Sequence, residues 1–389
     1  MRRGALTVWA AVILTASAPA PNAEAGQWLA GDLHVHTPYS HDSYGGPGDD
    51  NTGIEEAYTL GVPVAEQFRL AASRGHDFLA ITDHNDVRSQ SDPGFGAGGV
   101  IGIPGYEASL QGHAQMLGAR SVYDAGGASA AEVEAIAATL RAPPDAGVFQ
   151  INHPAEGSTR FPDDIDWGYA YEVVPDTVEV WNVSRLWQPP LPSASSNDDA
   201  IAYWQGWLDR GERVAATGGS DSHWLATVAV QGPGQPTTWV HAETPDAAGV
   251  LAGLRAGRTF ISHLPPRLGG PRIFLEADGD GDGGFESMVG DAVPPGSQLR
   301  VRVVGAAGAS LRIVTDGGRE AFAPVTVSGN RFDHGFELPA DATWARAEVF
   351  LPDLEPERVA LCDGVLGADT TYCRNQLLVL AMSSAIYLR

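Results

Sequence analysis

The sequence predicts an α/β protein in which a barrel of strands and helices precedes a small β-sandwich. Three observations point there. Apolar strands alternate with amphipathic helices over residues 31–263, the pattern of βα units, and the stretch is long enough to close a barrel. Histidines and carboxylates recur just beyond the carboxyl ends of those strands, the face on which barrels build their chemistry. From about Pro265 helical periodicity disappears, and short β-rich runs punctuated by Gly, Pro and Asp follow, as in a sandwich. The expected division is a signal segment 1–25, a barrel 26–264 and a β-domain 265–389.

The first strand runs into Asp32-Leu33-His34-Val35-His36-Thr37-Pro38. Residues i and i+2 of a strand share a face, so His34 and His36 converge, and Pro38 stops the strand. His41 follows in a Gly-rich loop that extends to Gly53, long enough to shape a mouth. A surface strand that happens to carry histidines is the bland alternative. Val64–Arg74 has helical spacing and stops at Gly75. Residues 78–82 form an apolar strand that ends in Asp83-His84-Asn85, and residues 100–103 lead into Pro104-Gly105-Tyr106-Glu107. A strand opens at 112–118 with His113, Ala130–Arg141 is an amphipathic helix, and residues 147–151 end in Asn152-His153-Pro154. Strand 177–181, helix 198–208 and strand 213–217 follow, the last leading to Asp221-Ser222-His223, a second i, i+2 pair. A strand at 237–241, a helix at 246–256 and a strand at 258–262 complete the series.

Composition narrows the function. Met1-Arg2-Arg3, an apolar run near residues 5–16 and Ala23-Glu24-Ala25 read as a secretory signal cut after Ala25. The run is shorter than the roughly 20 residues a membrane span needs. The chain is therefore expected to be exported to the periplasm or beyond. A net charge of -24 repels nucleic acid and anionic membranes, which leaves a small-molecule substrate as the expected partner. All 24 basic residues are arginines. Schiff-base chemistry, a lysine base and a carbamylated-lysine metal bridge are thereby excluded. Cys362 and Cys373 are the only cysteines; in an oxidising compartment they are expected to form one disulfide. A cysteine-rich zinc site is excluded by their number.

His34, His36, His41, His84, Glu107, His113, His153, Asp221 and His223 make up the strand-end set, which takes seven of the 11 histidines. Imidazole and carboxylate suit Zn, Mn or Fe, and nine such groups exceed the needs of one ion. A cluster of two or three divalent ions needs a bridging carboxylate, for which Glu107 is the candidate.

The segments DLHVHT, ITDHN, PGYE, NHP and GSDSH, in this order, resemble the PHP (polymerase and histidinol phosphatase) superfamily. GHAQMLG, VEVWN, AGRTFIS and the appended β-domain are most similar to its CehA/McbA-like metallohydrolases. The resemblance implies a distorted (β/α)7 TIM-like barrel with a two- or three-metal site. It implies one ion on His34, His36, Glu107 and Asp221, a second on Glu107, His113 and His153, and a third on His41, His84 and His223. Relatives often carry Asp where His41 stands, so Asp42 is the alternative third-site ligand. The spacing of His113 from the bridging Glu varies among relatives. The implied activity is metal-assisted hydrolysis by an activated hydroxide. Asp83, next to His84, is expected to orient a ligand imidazole, and with Glu107 and His223 it forms the candidate catalytic set.

Arg88, Arg120, Arg160 and Arg185 are isolated, whereas a phosphoryl group is usually held by clustered cations. Tyr39, Tyr44, Tyr106, Trp167, Trp181, Trp187 and Trp224 fall near the expected mouth. An ester, amide or carbamate is therefore the expected substrate, with phosphoester hydrolysis as the alternative and a non-catalytic binding protein as the third reading. His76 is expected to be structural, and His241, His263 and His334 match no motif. The run from Asp278 to Gly283 resembles the start of a calcium loop but has Val289 where that loop needs Glu; a solvated turn is expected.

Overall fold

The computed structural model describes residues 26–45, 59–155, 166–182, 197–229, 231–351 and 378–389. The expected signal segment, the two cysteines, Arg160, Arg185 and Trp187 lie outside the described residues. Among the described residues no helix is long and apolar enough to cross a membrane.

β1 (Gln27–Asp32) is followed by α1 (Val64–Arg74). α1 buries Val64, Gln67, Phe68 and Ala71, one helical stripe. It ends where Gly75 takes a left-handed φ of 88° and its N–H returns to the last turn. Next come β2 (Phe78–Ala80), β3 (Ile101–Ile103), β4 (Glu107–Leu110), β5 (Gly112–Leu117) and α2 (Ala130–Arg141). A reciprocal capping box between Ser129 and Glu132 starts α2, which buries Val133, Ile136, Ala137 and Leu140. β6 (Val148–Ile151), β7 (Thr177–Asn182), α3 (Asn197–Asp209), β8 (Ala215–Gly219), β9 (Thr237–Ala242), α4 (Ala247–Arg255) and β10 (Thr259–Ser262) complete this part.

These strands form two arcs, β10-β9-β1-β2-β3 and β4-β5-β6-β7-β8. β1–β2–β3 and β6–β7–β8 are parallel. β5 is antiparallel to both neighbours, and β9 to β1 and β10. The parallel sheet that alternating βα units imply therefore gives way to a mixed, strand-rich α/β fold. At β4–β5 the cause is local: only Gln111 separates the two strands, too little chain for the crossover that a parallel pair requires. Single parallel bridges, Val35 to Ser222 and His84 to Glu107, link the two arcs.

Beyond β10 the described residues form strands and two short 3-10 turns, with no α-helix among them. Arg272–Asp278, Gln298–Val304 and Arg331–Phe336 belong to a 4-stranded sheet. Ser310–Thr315, Trp344–Leu351 and Leu378–Ser383 belong instead to the 12-stranded sheet that also contains β1. Leu378–Ser383 pairs antiparallel with β10, so the sheet runs across the expected boundary at 264/265. One buried cluster joins Ile273, Leu275, Val301 and Val303 to Leu311, Ile313, Ala347 and Val349, filling the space between the two sheets. Another joins Phe149, Val178, Trp204 and Trp207 to Trp344, Met382 and Tyr387. The residues of the expected site gather near the strand ends, and none of them belongs to either cluster.

Candidate metal centre

His34 and His36 lie just past β1, in backbone clamped on both sides. Thr82 donates its N–H to Val35 O at 2.9 Å; on the other side, the N–H groups of Asp221 and His36 bond to His34 O and Ser222 O at 2.9 and 2.8 Å. Buried Asp32 locks the strand end by accepting N–H bonds from His34, Ser220 and Gly234. Both imidazoles are fully buried, and both aim Nε2 at one point because their Nδ1 atoms are occupied. His34 Nδ1 lies 3.0 Å from Glu179 Oε1, and His36 Nδ1 lies 3.2 Å from Ser40 Oγ.

Around that point the donor atoms crowd. The two Nε2 atoms are 3.0 Å apart, and each is 3.2 Å from both Glu107 Oε2 and Asp221 Oδ1. Such separations are the edges of a coordination polyhedron. Ligands about 2.1 Å from one ion stand roughly 3.0–3.4 Å from one another. Glu107 faces two ways: Oε2 meets His34, His36 and, at 3.4 Å, His84, while Oε1 meets His113 at 3.2 Å and His153 at 3.3 Å. This is the disposition of a carboxylate that bridges ions.

Four overlapping groups of possible ligands result: His34, His36 and Asp221; His34, Glu107 and His153; His84, Glu107 and His113; and His36, Asp42, His84 and His223. The last includes Asp42 where His41 is expected. The turn closed by Ser43 N–H on Ser40 O sends Asp42 Oδ2 to within 2.8 Å of His223 Nε2 and 3.7 Å of His84 Nε2. His41 stays exposed, its ring 4.8 Å from that of His84. His223 stacks on His36 with ring centres 3.8 Å apart and turns Nδ1 to Asp221 O.

The electrostatics suit a cation. Burial opposes ionisation of Glu107 and Asp221, yet the surrounding imidazoles hold both well below the usual carboxylate range. Burial likewise opposes charge on His34 and His36 but is outweighed by these carboxylates. They push His34 well above its ordinary value and His36 up to about 10. The field at the ring nitrogens thus favours positive charge, which divalent ions would supply to an otherwise costly buried carboxylate pair. At His84 burial prevails over Glu107 and lowers the imidazole to about 3, leaving a neutral donor. The donor set therefore fits two or three divalent ions. Its solvent side carries Asp42, His113 and Asp221, with side chains 33, 19 and 16 % exposed.

Asp83 turns its carboxylate to Thr37. It accepts bonds from Thr37 N–H at 2.7 Å and from Thr37 Oγ1 at 2.9 Å, holding the turn that carries Ser40 and Asp42. Tyr106, Trp167 and Trp181 are buried in the core rather than lining a mouth. Trp224 does sit beside the centre, 5.4 Å from the His223 ring, with Nε1 donating to Asp42 O. Sequence reasoning missed Asn152, whose amide donates to Glu107 Oε1 at 2.7 Å, and Glu179. An acidic residue inside the apolar run 177–182 was the available signal. His76 is buried against Thr237, as a structural residue would be. In the Asp278 turn, Asp278, Asp280, Asp282 and Glu286 bring carboxylate oxygens within 4.8 Å of one another. The turn is closed by bonds from Gly281 and Gly283 N–H to Asp278.

No family model matches the chain, and no curated protein matches it. Among solved structures it is similar to a two-domain protein from Bacteroides vulgatus containing a predicted PHP-like metal-dependent phosphoesterase. The identity is 17 %, the TM-score 0.45, and the match covers 87 % of this chain and 95 % of that one.

Proposed function

We propose that the chain is an exported metal-dependent hydrolase of the PHP superfamily, in its CehA/McbA-like branch, acting on an ester, amide or carbamate. The carrying observation is the convergence of His34, His36, Glu107, His153 and Asp221 donors at polyhedral spacing. The ordered motifs and the N-terminal signal pattern support family and export, and the bridged arcs suit the distorted (β/α)7 barrel. In this reading His34, His36, Glu107 and Asp221 hold one ion, Glu107, His113 and His153 a second, and Asp42, His84 and His223 a third. When bound, such ions supply Lewis acidity and a water acidic enough to give hydroxide near neutral pH.

The chain's own residues do the rest. Glu107 and Asp221 stay ionised and keep the donors assembled. Substrate approaches from the side of Asp42, His113 and Asp221. Trp224 offers an apolar wall there. Arg88 is committed to Asp86 at 2.6 Å and lies over Tyr39, which favours a neutral carbonyl substrate over a phosphoryl group.

His34→Ala or Asp221→Ala is expected to lower metal content and to cut activity by at least about 100-fold, the worth of one charge stabiliser in a transition state. Elemental analysis and a comparison of p-nitrophenyl acetate with p-nitrophenyl phosphate check this. Unchanged metal content would overturn the site, and hydrolysis of the phosphate alone would overturn the substrate class.

A further inference from the structure

Resting on the metal-centre reading above, we propose that Glu179 is its central positioning residue, which through Asn182 aligns ligands from three other strand ends. Glu179 is fully buried on β7. Its Oε1 accepts the Nδ1 proton of His34 at 3.0 Å. Its Oε2 accepts the backbone N–H of His153 at 3.2 Å and the amide of Asn182 at 3.1 Å. The same Asn182 amide reaches Asp221 Oδ2 at 3.3 Å. One side chain and its relay thus touch the residues after β1, β6 and β8.

Two features of the backbone make this contact set specific. Glu179 and Asn182 are three apart, so in a regular strand they would face opposite ways. The pairing of β7 with β8 skips Val180, matching Glu179 to Thr217 and Trp181 to Gly218. That bulge reverses the parity and returns Asn182 to the face of Glu179. Asn182 is then fixed to the start of α3 by reciprocal bonds with Asn197 at 3.0 and 3.2 Å. On β8, Gly219 leaves the room: a Cβ there would lie 2.5 Å from Glu179 Oε1 and 2.4 Å from His34 Cβ.

The chemical consequence concerns which nitrogen of His34 carries a proton. A carboxylate at Nδ1 keeps the proton there and leaves the Nε2 lone pair facing Glu107 and Asp221. Removing such a partner weakens metal binding without touching a ligand.

Glu179→Gln retains size and an oxygen for His34, but places an NH2 against two donors, the His153 N–H and the Asn182 amide. Titration of metal-stripped protein with Zn²⁺ and with Mn²⁺ is expected to show binding weakened about 10- to 100-fold. The unfolding midpoint of the metal-stripped variant measures what the unpaired donors cost the fold, and the loss of affinity is expected to exceed that cost. In the zinc-loaded wild type, ¹⁵N-edited NMR should show a His34 Nδ1 proton that is protected from exchange and shifted downfield; in E179Q it should move upfield. Wild-type affinity in E179Q, or an affinity loss that merely tracks a lowered midpoint, would overturn the role of Glu179 and leave the hydrolase reading intact. A wild type that takes up neither ion would overturn both. Should E179Q fail to fold, the wild-type spectrum decides alone: a His34 Nδ1 proton exchanging as fast as that of an exposed imidazole would overturn the proposal.

Discussion

At the scale of single residues, burial decides what each titratable group does, and His76 shows it away from the metal centre. Its ring is packed against Gly234 and Thr237. Burial, reinforced by the Arg74 guanidinium, pushes its imidazole down to about 3 from 6.5. Between those values the unfolded chain binds a proton that the folded chain refuses, so stability rises with pH there and is lost as pH falls through 6.5. His76→Gln removes the titration. On metal-stripped protein, the stability advantage of wild type over H76Q should shrink by about 2 kcal/mol between pH 7 and pH 5. Urea unfolding at the two values measures this, and a constant difference would contradict the buried neutral state. At the centre the backbone itself is displaced: Asp221 and His153 hold φ at 51° and 21°, conformations that cost on the order of 1–3 kcal/mol and that surrounding bonds must enforce. Gln231 contributes at Asp221 by bonding its carbonyl at 2.9 Å.

At the scale of elements, β7, β8 and α3 form the base that keeps the ligands in place. Trp204 of α3 is fully buried, and its Nε1 donates to Val214 O at 2.8 Å, tying the helix to the approach of β8. Trp204→Ala should cost about 3–5 kcal/mol in chemical unfolding, while the folded variant keeps its metal content because no ligand is touched. A loss below 1 kcal/mol would show that α3 is not anchored there. The same elements mark the limit of sequence reading. The helices Val64–Arg74 and Ala130–Arg141 and the strand-end histidines were legible because each depends on a short-range period, 3.6 or 2. Three features depended on something else. The bulge at Val180 changes a strand's parity with no Gly or Pro to announce it. The turn at Ser40–Ser43 chooses Asp42 over His41 by direction rather than composition. The hairpin at Gln111 makes β5 antiparallel because of one residue of connection length. Asn182 went unseen as a companion of Glu179 for the first of these reasons, and the contact of Asp83 with Thr37 for the second.

At the scale of the molecule, the C-terminal strands do more than follow the metal centre in sequence. Leu378–Ser383 continues the sheet from β10, and Ser384 takes up the N–H of Ala216 in β8 at 2.8 Å and meets Thr259 Oγ1 at 2.7 Å. β8 leads directly to Asp221 and His223, so the strand Leu378–Ser383 and the Ser384 that follows it support the strand that delivers two ligands. Trp344, Met382 and Tyr387 share a core with Trp204 and Trp207, so removing the chain beyond 265 would bare that core and an edge of β10. Sequence texture marks the change at Pro265 because composition changes there; it carries no sign of the pairing, which joins residues more than a hundred positions apart. The structure thus predicts one cooperative unit. Fluorescence of the tryptophans, which lie in both parts, and the release of bound metal should follow the same denaturant midpoint. A chain ending at 377 should lose metal affinity together with stability, because β8 loses its support. Two separate transitions, with metal retained through the first, would show that the C-terminal strands fold independently of the centre.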